Sequence, residues 1–321
     1  MMPSQWSANP TAYLDQPGTV SHLRVSIEMF PPANEVAAKG FDRELSRLCA
    51  IDPEFVSITS GAGGDGSCRT IGTILAARRL CKSPFAAHLT CIGKSRLQVE
   101  RELDEIADAG VTHVVALRGD LPDGSAQKCE GHYRSALQLV GAIKARYDFS
   151  VSVAAYPEGH PEANSVDEEI RYLKRKVEAG ADRIITQFFF GTEVFARFIE
   201  QVRDAGIEVP VLPGILPIVN FPSAVKFAEK CGTQIPRWYH EMYRDLPRDG
   251  ELHRAVSVSI AVEQCRQLLA LGVRDLHFYT LNQSDLTLEI CRQLGAIQDN
   301  VCQSGHAVRP QQVVASSGRR L

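Results

Sequence analysis

The chain has 321 residues, 44% of them apolar and 23% charged, with a formal net charge of −3. That balance is ordinary for a globular protein with a sizeable core, and the length suits one large α/β unit as readily as two average domains. The absence of any dense Lys/Arg block argues against a nucleic-acid or membrane-surface partner, and no apolar stretch is long enough to span a bilayer.

Residues 1–22 are polar and carry no apolar signal core, so they are expected to be an N-terminal extension of a cytoplasmic protein. From residue 23 onward, short β-rich runs alternate with helical patterns. The expected strands are Val25–Phe30, Phe55–Ser60, Phe85–Cys91, His113–Gly119, Ser150–Tyr156, Arg183–Phe190, Val209–Ile215 and Asp275–Leu281. They are apolar on successive residues, as strands buried on both faces of a parallel sheet must be.

The helical patterns include Arg69–Cys81, Ser95–Ala109, Val166–Ala179 and Phe195–Ala205. Ser95 is a natural N-cap. The last three patterns each end before a glycine suited to the C′ position: Gly110, Gly180 and Gly206. The long connection from Cys231 to Gly250 reads as an extra helix or lid, and residues 300–321, without helical or strand period, as a disordered tail. Nine cysteines are scattered with no zinc-knuckle spacing, so reduced, mostly buried thiols are expected.

Eight βα units over residues 23–299 can form a (β/α)8 barrel or a doubly wound sheet. The barrel is favoured because no strand is followed by G-x-G-x-x-G and because polar residues recur at the C-terminal ends of almost all the strands. Those ends carry Glu28, Thr59, His88, Arg118 to Asp120, Tyr156 with His160, Gln187, Pro213–Gly214 and Tyr279 to Asn282. Delivering so many hydrogen-bonding groups to one mouth is costly unless something polar binds there.

Glu28 stands inside an apolar run. If Val25 and Ile27 face the helices, its carboxyl points into the barrel, where desolvation would keep it protonated as a general acid requires; the competing reading is a buried ion pair. The Gly-rich loop from Ser60 to Gly66 lets backbone approach an anion at a helix start but lacks a P-loop lysine. Arg118 suits a pyrophosphate or carboxylate, and Asp120 a ring N–H, unless the two pair with each other. Lys174, Arg175 and Lys176 form the kind of run that usually marks a solvated helix face. Three phenylalanines after Gln187 read as core, and Gln187 beside them needs a partner.

These segments resemble the methylenetetrahydrofolate reductase family from about Ser26 to Leu294. The motifs are Ser26-Ile-Glu-Met-Phe-Pro-Pro, Phe55-Val-Ser-Ile-Thr-Ser-Gly-Ala-Gly-Gly, His88-Leu-Thr-Cys, Ala116-Leu-Arg-Gly-Asp-Leu-Pro and Val153-Ala-Ala-Tyr-Pro-Glu-Gly-His-Pro-Glu-Ala, followed by Lys174-Arg-Lys, Ile185-Thr-Gln-Phe-Phe-Phe, Pro213-Gly-Ile-Leu-Pro and Phe278-Tyr-Thr-Leu-Asn.

The resemblance implies a barrel with non-covalent FAD at its C-terminal mouth. NADH or NADPH and 5,10-methylenetetrahydrofolate would use the same flavin face in turn, in a ping-pong cycle that serves methionine biosynthesis. It places the acid on Glu28 and flavin contacts on Ala62, His88, Arg118, Gly119, Asp120, Tyr156, His160, Ala163, Arg175 and Lys176, with Thr59 in the nucleotide and flavin region. Folate contacts fall on Asp120, Gln187 and Tyr279, and the residue stacking on either substrate falls on Phe227. Ser60 stands where many members have an aromatic, which bears on flavin packing; Ser223 stands where Gln is frequent and Gln283 where Arg is usual, and these two bear on the folate tail. Adenosylmethionine inhibition is not expected, because no regulatory domain of the longer members follows the barrel. A homo-oligomer is expected, without metal.

Three other readings compete. A metal- or Schiff-base-dependent aldolase would need a strand lysine or a metal cluster, and the assigned strands hold neither. A flavin-free reductase with direct hydride transfer is opposed by His88, Tyr156, His160 and Lys176 and left open by Ser60. An inactive folate- or flavin-binding barrel has no use for a buried Glu28.

Overall fold

The computed structural model describes residues 23–60, 66–120, 133–163, 165–248 and 250–297. The expected N-terminal extension, the expected disordered tail and Ala62 lie outside the described residues.

Eight strands form a closed, all-parallel barrel in sequence order. They are β1 (Arg24–Met29), β2 (Val56–Ile58), β3 (Phe85–Thr90), β4 (His113–Leu117), β5 (Ser150–Ala155), β6 (Arg183–Phe188), β7 (Val211–Ile215) and β8 (Asp275–Tyr279). The helices are α1 (Glu35–Leu48), α2 (Gly66–Ala77), α3 (Arg96–Asp108), α4 (Ala136–Arg146), α5 (Val166–Glu178), α6 (Thr192–Asp204), α7 (Phe221–Cys231), α8 (Arg237–Tyr243), α9 (Glu251–Ala270) and α10 (Asp285–Gln293). The (β/α)8 reading therefore holds, and α8 is the extra helix expected between Cys231 and Gly250. Most strands stop one or two residues short of the sequence expectation, because the chain leaves the ladder for the connecting loops before its apolar or polar run ends. Among the described residues no helix is long and apolar enough to cross a membrane.

The alternation of side chains along each strand sorts the core into layers. Ile27, Met29, Val56, Ile58, Val114, Val151, Ile184 and Phe278 face the helices and are buried almost completely. The barrel interior carries a small apolar plug of Phe55, Ala86, Val115, Ile185 and Leu212. A third cluster, with Phe188, Phe190, Leu216, Phe221, Tyr239 and Tyr243, packs α7 and α8 beside the mouth. There the rings of Phe221 and Tyr243 stack at 4.4 Å, and the Tyr239 hydroxyl donates to the Phe190 carbonyl at 3.2 Å.

Local chemistry sets the helix ends. Ser95 caps α3 in a capping box with Gln98. In α1, Asn34 caps and Phe41, Leu45 and Leu48 form the buried stripe. Gly110, Gly180 and Gly206 all adopt positive φ where the chain turns back to the next strand.

One expectation is overturned. Cys49, just after α1, and Cys81, just after α2, are joined in a disulfide with Cα atoms 5.7 Å apart. Spacing along the chain could not show this, because neighbouring αβ connections meet only when the barrel closes. Cys68, Cys91, Cys231, Cys265 and Cys291 are free thiols.

Candidate active site

The register of β1 decides the first feature. Val25, Ile27 and Met29 pack outwards, so Glu28 faces the interior, level with Ser57 of β2 and Tyr279 of β8. Burial pushes its carboxyl up from an ordinary 4.5 to about 8. The ion-pair alternative fails, since the nearest basic group is His88 of β3, its Nε2 3.4 Å from Oε2 of Glu28. Burial drives that imidazole down to about 4, so it is neutral at pH 7 and supplies no compensating charge.

Deeper in the barrel, the Nδ1 of His277 on β8 lies 2.8 Å from the Ser26 hydroxyl, and its pKa is pushed down to about 3 by burial and then by His88. The Nε2 atoms of both imidazoles are buried without a hydrogen-bond partner among the described residues. Ser26 and His277 escaped the sequence reading. The only signal was polar residues alternating inside apolar strands, which also marks satisfied core groups.

A second feature is a cavity of about 720 Å³ between the ends of β4 and β5 and helices α4 and α5. Arg118, Gly119 and Asp120 line it from β4; Tyr156, His160 and Ala163 from the loop after β5; and Arg175 and Lys176 from α5. Gly119 adopts φ +84°, and a Cβ there would lie 2.9 Å from Cβ of Thr90, so this turn requires glycine. Arg118 pairs with both oxygens of Glu162, Nη2 to Oε1 at 3.1 Å, rather than with the exposed Asp120. The ring of Tyr156 meets that of His160 edge-on at 4.6 Å.

The lysine run divides in a way its spacing alone hides. Lys174 and Arg175 are exposed as expected, whereas Lys176 falls on the buried stripe of α5 with Glu169, Ile170 and Leu173. Its ammonium donates to the Ala154 carbonyl at 2.7 Å and sits 4.9 Å from the centroid of the Tyr172 ring. Burial lowers its pKa to about 8.

The third feature is aromatic. Phe227 of α7 stacks on Phe188 at 5.2 Å, and Tyr279 meets the same ring edge-on at 6.1 Å. The Tyr279 hydroxyl donates to the Thr186 carbonyl at 2.8 Å. The Gln187 side-chain oxygen accepts from the Phe188 N–H at 3.0 Å, which leaves its amide N–H donors for a ligand. Thr59 and Ser60 lie half-buried at the end of β2, and Thr59 extends the pairing with β1 by donating to Met29 O at 3.0 Å. Gln283 stands apart, exposed on the loop after β8, and Ser223 is exposed in the first turn of α7, its N–H donating to the cap Asn220 at 3.0 Å.

A model of the methylenetetrahydrofolate reductase family matches residues 15–295. The 5,10-methylenetetrahydrofolate reductase of Salmonella typhimurium is 42% identical over 85% of this chain and 91% of its own. The chain belongs to the methylenetetrahydrofolate reductase family. The Escherichia coli 5,10-methylenetetrahydrofolate reductase is 41% identical with the same coverages. A protein of Arabidopsis thaliana named methylenetetrahydrofolate reductase (NADH) 1 is 34% identical over 86% of this chain but only 49% of its own length. As a family member the protein is an oxidoreductase of folate one-carbon metabolism, built on a closed eight-stranded barrel with its polar groups at one mouth.

Proposed function

We propose that this reductase converts 5,10-methylenetetrahydrofolate to 5-methyltetrahydrofolate, with NADH or NADPH as donor, non-covalent FAD as the carrier and Glu28 as general acid. The observation that carries the reading is the Glu28 carboxyl, only 13% exposed at the mouth, with no cation beside it among the described residues and protonated up to about pH 8. A group held protonated near neutrality is suited to give its proton to a leaving nitrogen.

The residues present fit a flavin dinucleotide. The cavity beside β4 and β5 offers the cations Arg118, Arg175 and Lys176 for a pyrophosphate, and Asp120 and Glu169 for hydroxyl or ring N–H groups. The partnerless Nε2 of His88 stands at the inner edge of the mouth, where a ring heteroatom could complete it. When bound, FAD supplies a two-electron carrier between pyridine nucleotide and folate. In this reading Asp120, Gln187 and Tyr279 orient the pterin, Phe227 stacks on whichever substrate is present, and Thr59 and Ser60 close the β2 side.

Purified protein is expected to be yellow, to release FAD on denaturation, and to bleach when NADH or NADPH is added. Colourless protein that reduces methylenetetrahydrofolate with added NADH and gains nothing from FAD would establish direct hydride transfer instead.

Gln283→Arg is expected to lower the folate KM with kcat unchanged, because the exposed loop position can reach a substrate tail but not the reacting centre. A charge-assisted bond to a tail carboxylate could add about 1.5–3 kcal/mol if shielded from water. Steady-state kinetics check this, and a fall in kcat at constant KM would place the residue elsewhere.

A further inference from the structure

We propose that Asn282 is a positioning residue: its side chain closes the barrel seam between β8 and β1 and keeps water from Glu28. This inference rests on the reading of Glu28 as the acid. β1 and β8 pair as far as Glu28 and Tyr279 and then diverge. Past that point Thr280 holds the Glu28 carbonyl, its hydroxyl donating at 2.7 Å and its N–H at 3.4 Å.

Two residues further on, a side chain replaces the missing rung. The Phe30 N–H donates to Oδ1 of Asn282 at 2.8 Å, and Nδ2 of Asn282 donates to the Phe30 carbonyl at 2.9 Å. Both backbone groups of one residue are thus taken by one carboxamide, which offers a donor and an acceptor as another strand would.

The backbone bends sharply to aim this amide. Leu281 and Asn282 adopt φ +50° and +56° in succession, the left-handed region in which asparagine is tolerated and leucine is not at home. Such conformations persist where the surroundings over-determine them. Here Leu281 packs with the mouth aromatics, and the Ser284 hydroxyl and N–H donate to Oε2 of Glu44 on α1 at 2.6 and 3.1 Å. Arg47 of α1 pairs with Asp285 at 2.5 Å. The loop therefore grips β1 at its end and again through the helix that follows it.

The groups facing the Glu28 carboxyl are His88 from β3, Tyr279 and His277 from β8, and the neutral Ser57 from β2. The two imidazoles and the phenol are all uncharged at pH 7. Hydration, rather than a neighbouring charge, then controls the proton affinity of Glu28. The Glu28 side chain is already 13% exposed; opening the seam beside it admits further water, and the carboxyl moves back towards its ordinary value.

Asn282→Gly tests this, since glycine accepts the positive φ and removes only the amide. The expected result is an alkaline limb of the pH–rate profile displaced downward by a unit or more, hence a loss in kcat with methylenetetrahydrofolate of about twofold at neutral pH and about tenfold or more on the alkaline side of the limb, with bleaching by NADH within about twofold of wild type. An unmoved limb overturns the proposal, whether kcat holds or falls together with bleaching and melting temperature. Should the glycine variant fail to fold, Asn282→Ser, which is neutral and too short to span both backbone groups of Phe30, is judged by the same limb. A wild-type profile with no alkaline limb would instead overturn the assignment of Glu28, so the two failures are distinguishable.

Discussion

Glu28→Gln is expected to slow reoxidation by methylenetetrahydrofolate about 10²–10⁴-fold, the usual worth of general-acid assistance, while bleaching by NADH stays within about tenfold of wild type. Gln preserves the shape of the side chain and removes only the proton. Nothing in accepting hydride from a pyridine nucleotide calls for an acid, whereas opening the folate five-membered ring needs a proton on the departing nitrogen. Stopped-flow measurement of the two half-reactions separates the cases. Equal slowing of both would mean that Glu28 holds the fold or the cofactor, and no slowing of either would move attention to Asp120.

The same substitution has a stability signature. The folded carboxyl titrates near 8 against 4.5 in the unfolded chain, so between those values the folded state holds a proton that the unfolded state has released. Wild-type stability therefore falls as pH rises through that window and levels off above about 8, by something on the order of a few kcal/mol. Glu28→Gln removes this loss, so its melting temperature should overtake that of wild type at alkaline pH. The folate-dependent rate of wild type should decline through the same upper limit as the acid loses its proton.

Gly214→Ala is expected to be the most damaging single methyl in the barrel. Pairing between β6 and β7 shifts register between Ile185 and Phe188, and Gly214 sits opposite the irregularity. A Cβ there would lie 2.4 Å from the Thr186 carbonyl and 2.5 Å from Cε2 of Tyr279. The carbonyl belongs to backbone and is also the acceptor of the Tyr279 hydroxyl, so relief in one direction breaks a buried hydrogen bond in another. Overpacking of this kind costs about 1–3 kcal/mol, and a phenol left without its acceptor adds about as much again. A melting temperature lower by roughly 5 °C or more, with folate turnover down about tenfold because Tyr279 is displaced, is the expected pair of readings. Wild-type behaviour in both would mean that β6 relaxes freely.

The barrel was legible because its evidence is local. Apolar runs mark buried parallel strands, Ser95 with Gln98 marks a capped helix start, and Gly110, Gly180 and Gly206 mark the returns to the sheet. The inward direction of Glu28 was legible too, since strand parity and two outward neighbours determine it. What could not be read depends on contacts made only when the barrel closes. Arg118 finds Glu162 instead of its near neighbour Asp120 because the loops after β4 and β5 lie side by side. Lys176 is buried although Lys174 and Arg175 are not, because only the helical phase of α5 against Ala154 distinguishes them. Cys49 and Cys81 meet across adjacent connections for the same reason.

The cavity beside β4 and β5 and the aromatic cluster on β6, β8 and α7 share no βα unit. They nevertheless meet in the loop after β5, where Glu158 accepts from the Gln234 N–H at 2.9 Å and a Cβ on Gly232 would lie 2.8 Å from Cγ of Pro161, so a change in that loop is felt in both territories. Away from that loop, selection or a laboratory library can vary the aromatic cluster on the later strands while the lining of the cavity on the earlier ones is inherited unchanged.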